Sequence, residues 1–205
     1  MNLYERYVLP RLIDLAMRNR DVTRYRERVV PLARGRVVEL GFGSGLNLPF
    51  YSSEVSEVHA VDPSAELARI AAHRVRAART PVHVHVQSGE TLPFESGFAD
   101  TVVTTFTLCS IPDALSALRD ARRVLKAGGR LLFAEHGLSP ESSVQRWQQR
   151  VNPLWNRLAG GCNLNRKIDA LVEAAGFEVV EFRNEYAHGP KPLTYIYTGS
   201  ATPAR

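Results

Sequence analysis

The stretch "VVELGFGSGLNLPFY", Val37 to Tyr51, decides how the rest of the chain is read. An apolar run ends in Glu39, glycines follow at 41, 43 and 45, and the segment then reads as the start of a helix. Glycine tolerates positive φ and lets backbone approach a ligand closely. In open parallel sheets ligands sit beyond the carboxyl ends of the strands, where strand order reverses. The spacing is G-x-G-x-G. The dinucleotide fingerprint G-x-G-x-x-G needs a glycine where Leu46 stands, and a phosphate loop needs a Gly-Lys-Ser/Thr ending that is missing here. Glu39 would also repel a pyrophosphate.

Beyond this turn, strand-like and helix-like runs alternate. The segments "EVHAVD" (57–62), "VHVHV" (82–86), a strand within 99–108, "RLLFAEH" (130–136), "EVVEF" (178–182) and "TYIYTG" (194–199) read as strands; 64–78, 113–126 and 168–177 read as helices. Such alternation implies a parallel sheet with helices on both faces. Before it, residues 3–34 read as two helical pieces, with Pro10 opening one and Pro31 disturbing the end of the other. The 137–166 stretch is an insertion that carries both tryptophans.

Bulk properties exclude several classes. The chain has 205 residues, enough for one sizeable α/β core, and 44% hydrophobic with 23% charged residues is ordinary for a soluble domain. No apolar run approaches the length of a membrane helix, and the charged N-terminus lacks the apolar core of a secretory signal. A cytoplasmic location is expected. Cys109 and Cys162 lie far apart in the chain, which suggests neither a disulfide framework nor a metal cluster. The net charge is +5, and residues 1–36 hold nine arginines against four acids. A basic segment can attract nucleic acid or an anionic surface, but these arginines are interspersed with Leu, Ile and Val, as on a solvated amphipathic helix.

The charge pattern of the turn suits S-adenosylmethionine (SAM), which carries an ammonium, a sulfonium and a carboxylate but no phosphate. Glu39 can stand near the cationic end, and amides of a following helix N-terminus can meet the carboxylate. Asp62, at the end of the second strand, is placed to accept hydrogen bonds from ribose hydroxyls, with Pro63 and Ser64 opening the next helix.

The segments "VVELGFGSG", "AVDPS", "GETLPF…FAD", "TLCSIPD" and "RRVLKAGGRLLFAEH", in that order, resemble a class I SAM-dependent methyltransferase of the type 11 superfamily. The resemblance implies an α/β, Rossmann-like, seven-stranded and mostly parallel sheet of order 3-2-1-4-5-7-6. It also implies one domain over 1–205, with an N-terminal helical cap (1–34) and a helical substrate lid (137–166). The cofactor would be SAM, leaving as S-adenosylhomocysteine, with no metal. Its binding residues would be Glu39, Gly41, Phe42, Gly43, Gly45, Asp62, Pro63, Ser88, Gly89 and Glu90 at the adenine, and Thr105, Phe106 and Cys109 after the fourth strand.

Glu135-His136, the Trp-Gln-Gln run at 147–149, Pro153 with Trp155, and Gly161-Cys162-Asn163-Leu164 before Arg166 are similar to the methyltransferase-like thiol S-methyltransferases and their soluble bacterial relatives. Familiar members of that group carry an N-terminal membrane segment; none is expected from this sequence, which favours a soluble form. The expected acceptor is a small molecule, a thiol first, with O-, N- or C-methylation of a quinone, phenol or lipid as the alternative. A nucleic-acid methyltransferase or a non-catalytic SAM-binding protein ranks lower, as no Asn/Asp-Pro-Pro-aromatic signature follows the fourth strand. His136 and Arg166 are the catalytic candidates. Tyr7, Trp147, Trp155 and Cys162 are the candidates for lining the acceptor pocket. No stable membrane insertion or nucleic-acid partner is expected, and the state is a monomer or homodimer. His83 and His85 share a strand face that could bind metal, but no third ligand is apparent in the sequence.

Overall fold

A computed structural model describes residues 4–204. Seven strands form a single sheet in the order β3-β2-β1-β4-β5-β7-β6. They are β1 (Gly35–Leu40), β2 (Val55–Asp62), β3 (Val82–Val86), β4 (Ala99–Thr105), β5 (Leu125–His136), β6 (Phe177–Tyr186) and β7 (Tyr195–Pro203). β1 to β5 pair in parallel, and β7 runs antiparallel to both β5 and β6. The expected topology is therefore present. Strand order reverses between β1 and β4, so their carboxyl ends frame a crevice suited to a ligand.

Period-two alternation assigns the central residues to opposite faces. Val38, Leu40, Val61, Val102, Leu131 and Phe133 pack with α4 (Ala114–Val124) and α6 (Ile168–Ala174) through Leu118, Ala121, Ile168 and Val172. Val37, Val58, Val103, Leu132 and Ala134 pack with Tyr25 and Val29 of α2 (Arg20–Val29). On the same side Ala71 of α3 (Ala65–Ala77) meets Phe42, Leu48 and Ala60. Ser64 caps α3 by accepting from the Leu67 amide. Asp113 does the same for α4 with Ser116.

Three local expectations change. No regular helix follows the glycine turn. Leu48–Phe50 makes one 3-10 turn, since Pro49 sits where a continuing helix would need an amide. β5 begins at Leu125, directly after α4 ends, so the Gly128-Gly129 pair lies inside the strand and not before it. β6 runs to Tyr186, well past the expected end.

The N-terminal segment, with α1 (Leu9–Met17), α2 and the start of β1, pairs much of its charge with acids of the same protein. Arg18 pairs with Asp14, Arg24 and Arg28 with Glu185, Arg34 with Glu54 and Arg36 with Glu57. Arg26 is buried, donates to the Met17 carbonyl at 2.9 Å and lies over the Phe106 ring. The basic segment therefore offers less free charge than its composition suggests. Among the described residues, no helix is long and apolar enough to cross a membrane.

Leu118→Ala removes a fully buried side chain from the α4 face. It should destabilise the fold by about 2–5 kcal/mol, by lost burial and a residual cavity. Leu154→Ala, at a 63% exposed position, should change stability by less than about 0.5 kcal/mol. Urea unfolding of the two variants checks the assignment.

Candidate functional site

The turn after β1 is held from below. Glu39 is buried, and its carboxylate accepts from Asn47 Nδ2 at 2.9 Å and from the Tyr51 hydroxyl at 2.6 Å. Asn47 also contacts Thr105 Oγ1. The Gly41 and Phe42 amides both donate to the Val61 carbonyl, and the Gly43 amide donates to Asp62 Oδ2 at 2.8 Å. Asp62 accepts from Ser64 N through its other oxygen, so both oxygens are oriented and each keeps a free lone pair. A side chain on Gly41 would run into Thr107, 2.0 Å from the Cβ position, at a φ of +75°. Gly43, at φ +56°, meets nothing closer than 4.0 Å, which leaves open space over the turn.

The chain leaves β4 through Phe106, a non-glycine residue at φ 55°. The loop that follows is gripped by charged side chains. Glu135 accepts from Thr104 Oγ1 and from the Thr107 and Leu108 amides. Arg166 donates to the carbonyls of Leu108, Ile111 and Pro112. Asn163 reaches the Cys109 carbonyl from its amide at 2.8 Å and from its side chain at 2.9 Å. Thr107 Oγ1 in turn touches the Gly41 carbonyl at 3.3 Å.

On the far side of this loop, chemistry-bearing side chains converge. His136 Nε2 lies 3.0 Å from Cys162 Sγ, and the Trp155 indole N–H donates to the same sulfur at 3.3 Å. The reactive atoms of Cys109, His136 and Cys162 lie within 4.8 Å of one another. Their distance in sequence conceals this, and the expectation that the two cysteines form no cluster is corrected here. A hydrogen bond with Cys109, together with burial, pushes the Cys162 thiol well above its usual range, so it stays protonated at neutral pH. Burial lowers the His136 pKa, but its contacts with Cys162 and the charge of Glu135 outweigh that and raise it.

Trp155 also lines an apolar groove of about 520 Å³ with Trp147, Val144, Val151, Leu164 and the Pro190–Leu193 segment. The groove runs along α5 (Ser142–Leu158). Buried Gln148 fastens α5 in place. It donates to the Gly137 and Pro192 carbonyls and accepts from Ser139 N, all at 3.0 Å. The Trp-Gln-Gln run carries a family resemblance in the sequence, but this role of Gln148 is missed there; the cue is an amide residue on the apolar face of a helix.

Several expected contacts are revised. The Phe42 side chain packs in the core with Leu48, Ala60 and Ala71, which leaves only its backbone near the crevice. Thr105 is buried and turned to Asn47. The glycine-turn amides at 41, 42, 43 and 45 already have protein acceptors, so they form no helix-end anion site. Arg166 donates to three carbonyls and orders the loop. Glu90 bonds to the Asp113 amide and to Ser88. Gly89 is buried so tightly that a Cβ would lie 2.2 Å from Leu40 Cδ1, which lets the loop after β3 close on the β1 turn. Tyr7 sits 38% exposed on the first helical turn, while Tyr4 bonds the Leu158 carbonyl. Pro63 and Ser88 are at the surface.

These residues fit SAM: a preoriented carboxylate for a diol, open space over a glycine turn, and no lysine or phosphate cradle. Comparison with known proteins agrees. A family profile described as "Methyltransferase domain" matches residues 38–133. The human thiol S-methyltransferase TMT1B is 31% identical over 176 residues, covering 82% of this chain and 69% of that protein. This chain is a class I SAM-dependent methyltransferase. The methyltransferase is also 28% identical over 174 residues to the demethylmenaquinone methyltransferase of Clavibacter sepedonicus, covering 76% and 71% of the two chains. Its fold matches that of the YcgJ protein of Bacillus subtilis with a TM-score of 0.70 at 17% identity, over 90% of this chain and 98% of the other.

Burial pushes the Glu39 carboxyl up to about 7 from an ordinary 4.5, against the opposing pull of its hydrogen bonds and Arg26, and Glu135 is raised to about 7 in the same way. Between those values the unfolded methyltransferase releases protons that the folded form keeps. Each group therefore lowers stability as pH rises through that window, by up to about 1.4 kcal/mol per pH unit. Glu39→Gln should flatten the fall in thermal midpoint between pH 5 and 7. An unchanged slope would contradict the assignment.

Proposed function

We propose that this methyltransferase acts on a small lipophilic thiol. The observation that carries the reading is the apolar groove sharing Trp155 with the His136–Cys162 pair. It offers an apolar acceptor a surface whose Trp155 indole contacts Cys162, the partner of His136. The similarity to the human thiol S-methyltransferase supports the same acceptor class.

Bound SAM supplies an electrophilic methyl on a sulfonium, so the protein needs to position and not to activate the donor. In this reading Asp62 accepts from the ribose hydroxyls, and the Ser88–Glu90 loop borders the adenine. Gly41, Gly43 and Gly45 keep the turn open, and Glu39 braces it from beneath through Asn47 and Tyr51. Trp147 and Trp155 hold the acceptor's apolar body. His136 is the group that takes the thiol proton, and Cys162, held 3.0 Å from its Nε2, orients the ring. A free thiol has a pKa near 8.5 and is only a few per cent thiolate at pH 7, so a nearby acceptor of the proton raises the reactive fraction. Arg166 and Glu135 hold the loop that separates the donor from the acceptor. Residues 1–34 serve as a cap and 137–166 as a lid on one domain. The enzyme works in the cytoplasm, as a monomer or homodimer, on a small molecule and not on nucleic acid, consistent with the internally paired arginines.

A panel of alkyl thiols, phenols, quinols and amines with methyl-labelled SAM tests the acceptor. Thiols should turn over; exclusive turnover of phenols, quinols or amines would replace this reading with O-, C- or N-methylation. His136→Gln should lower thiol turnover about 10²-fold at pH 7, the range for a lost proton acceptor, and leave SAM affinity unchanged. Asp62→Ala should weaken SAM binding at least tenfold by calorimetry; equal affinity would remove the ribose assignment.

A further inference from the structure

Four side chains at the β2–β3 edge have no part in methyl transfer. Parallel pairing sets His59 beside His83 and Val61 beside His85. Period-two alternation then brings Glu57, His59, His83 and His85 to one face. Glu57 Oε2 lies 3.4 Å from His59 Nε2 and also 3.4 Å from His83 Nε2, and the three donor atoms lie within 4.8 Å of one another. This corrects the expectation that His83 and His85 lack a third ligand; the missing groups come from the neighbouring strand.

We propose that Glu57, His59 and His83 bind one divalent transition-metal ion of the zinc class, with water completing its shell. Two donors on a tetrahedral ion at bond lengths of about 2.0–2.1 Å stand about 3.3–3.4 Å apart. Both carboxylate–imidazole separations have that value. Two imidazoles and one carboxylate suit zinc, nickel or copper over calcium or magnesium. His59 Nε2 is buried and makes no well-aligned hydrogen bond, its near neighbour being Glu57 Oε2 itself, another donor of the proposed site. His59 Nδ1 lies 3.3 Å from His85 Nε2. An Nδ1–H donated to His85 fixes the tautomer that turns Nε2 to the ion, the usual job of a ligand's outer partner. Arg36 Nε holds the other Glu57 oxygen at 2.6 Å and keeps Oε2 facing the imidazoles.

The His59 and His83 rings are stacked, 4.8 Å apart at 23°. Closing on an ion requires one ring to splay. The His83 side chain, 52% exposed, has the freedom to do so, while Phe94 and Phe98 pack edge-on against His59 and hold it. The ion would tie edge strand β3 to β2.

The test uses the full chain without an affinity tag, stripped with chelator and titrated with Zn²⁺ by calorimetry, and with Co²⁺ by absorption. One ion per chain should bind, with a dissociation constant of about 10 μM or tighter, and the thermal midpoint should rise by a few degrees at about hundredfold excess. Exposed His83→Ala should weaken binding at least tenfold without altering the metal-free midpoint, and Glu57→Gln should weaken it as well. Cys162→Ser should leave it unchanged, and the cobalt spectrum should lack a thiolate charge-transfer band. Absence of uptake at about 100 μM Zn²⁺ would overturn the proposal. So would uptake that survives His83→Ala, or uptake that disappears with Cys162→Ser and thus belongs to the Cys109–His136–Cys162 cluster.

Discussion

The carboxyl edge of the sheet depends on how the backbone from Phe106 to Pro112 is held. A loop in a partly buried position must find partners for its amides and carbonyls. Here they come from charged and polar groups: the buried Glu135 carboxylate for the Thr107 and Leu108 amides, and the half-buried Arg166 guanidinium and Asn163 for the carbonyls. The grip sustains Phe106 at a positive φ, a strain of about 1–3 kcal/mol that persists only where the surroundings over-determine it. One side of the loop touches the glycine turn through Thr107, and the other carries Cys109 to Cys162 and His136. In the proposed reading, the donor and acceptor ends are two faces of this one restrained segment.

The same region concentrates buried charge. Glu39 and Glu135 lie on opposite faces of the sheet with Arg26 near both, and burial pushes Arg26 down to about 10. Burying these groups costs stability, which hydrogen bonds from Asn47, Tyr51, Thr104 and the loop amides partly offset. Arg26 also anchors the N-terminal helices to the crevice by lying over Phe106. Asp14 of α1 reaches the same area through Arg74, which donates to the Ser44 carbonyl of the glycine turn. The N-terminal helices are therefore tied electrostatically to the glycine turn.

The sheet is legible in the sequence because apolar and alternating runs such as "VVEL" and "VHVHV" are local signals. The family resemblance supplies strand order, which periodicity alone does not carry. What stays hidden depends on register and loop closure. Phe42 and Thr105 sit among cofactor motifs, yet their side chains turn to the core and to Asn47. Arg166 reads as a free cation because the carbonyls that absorb it lie in a loop distant in sequence. His59 is invisible as a partner of His83 until β2 and β3 pair. Pro49 stands inside a segment that reads as a helix start, and it is why the glycine turn opens into a 3-10 turn instead.

If the Phe106–Pro112 loop joins the two halves of the site, it must bring the donor's sulfur to the His136–Cys162 face. A crystal structure of the protein with S-adenosylhomocysteine measures this directly. The ribose hydroxyls should lie on Asp62, with the thioether sulfur directed past Thr107 toward His136. A product bound with its sulfur turned away from His136 and Cys162, toward another opening of the crevice, would contradict it.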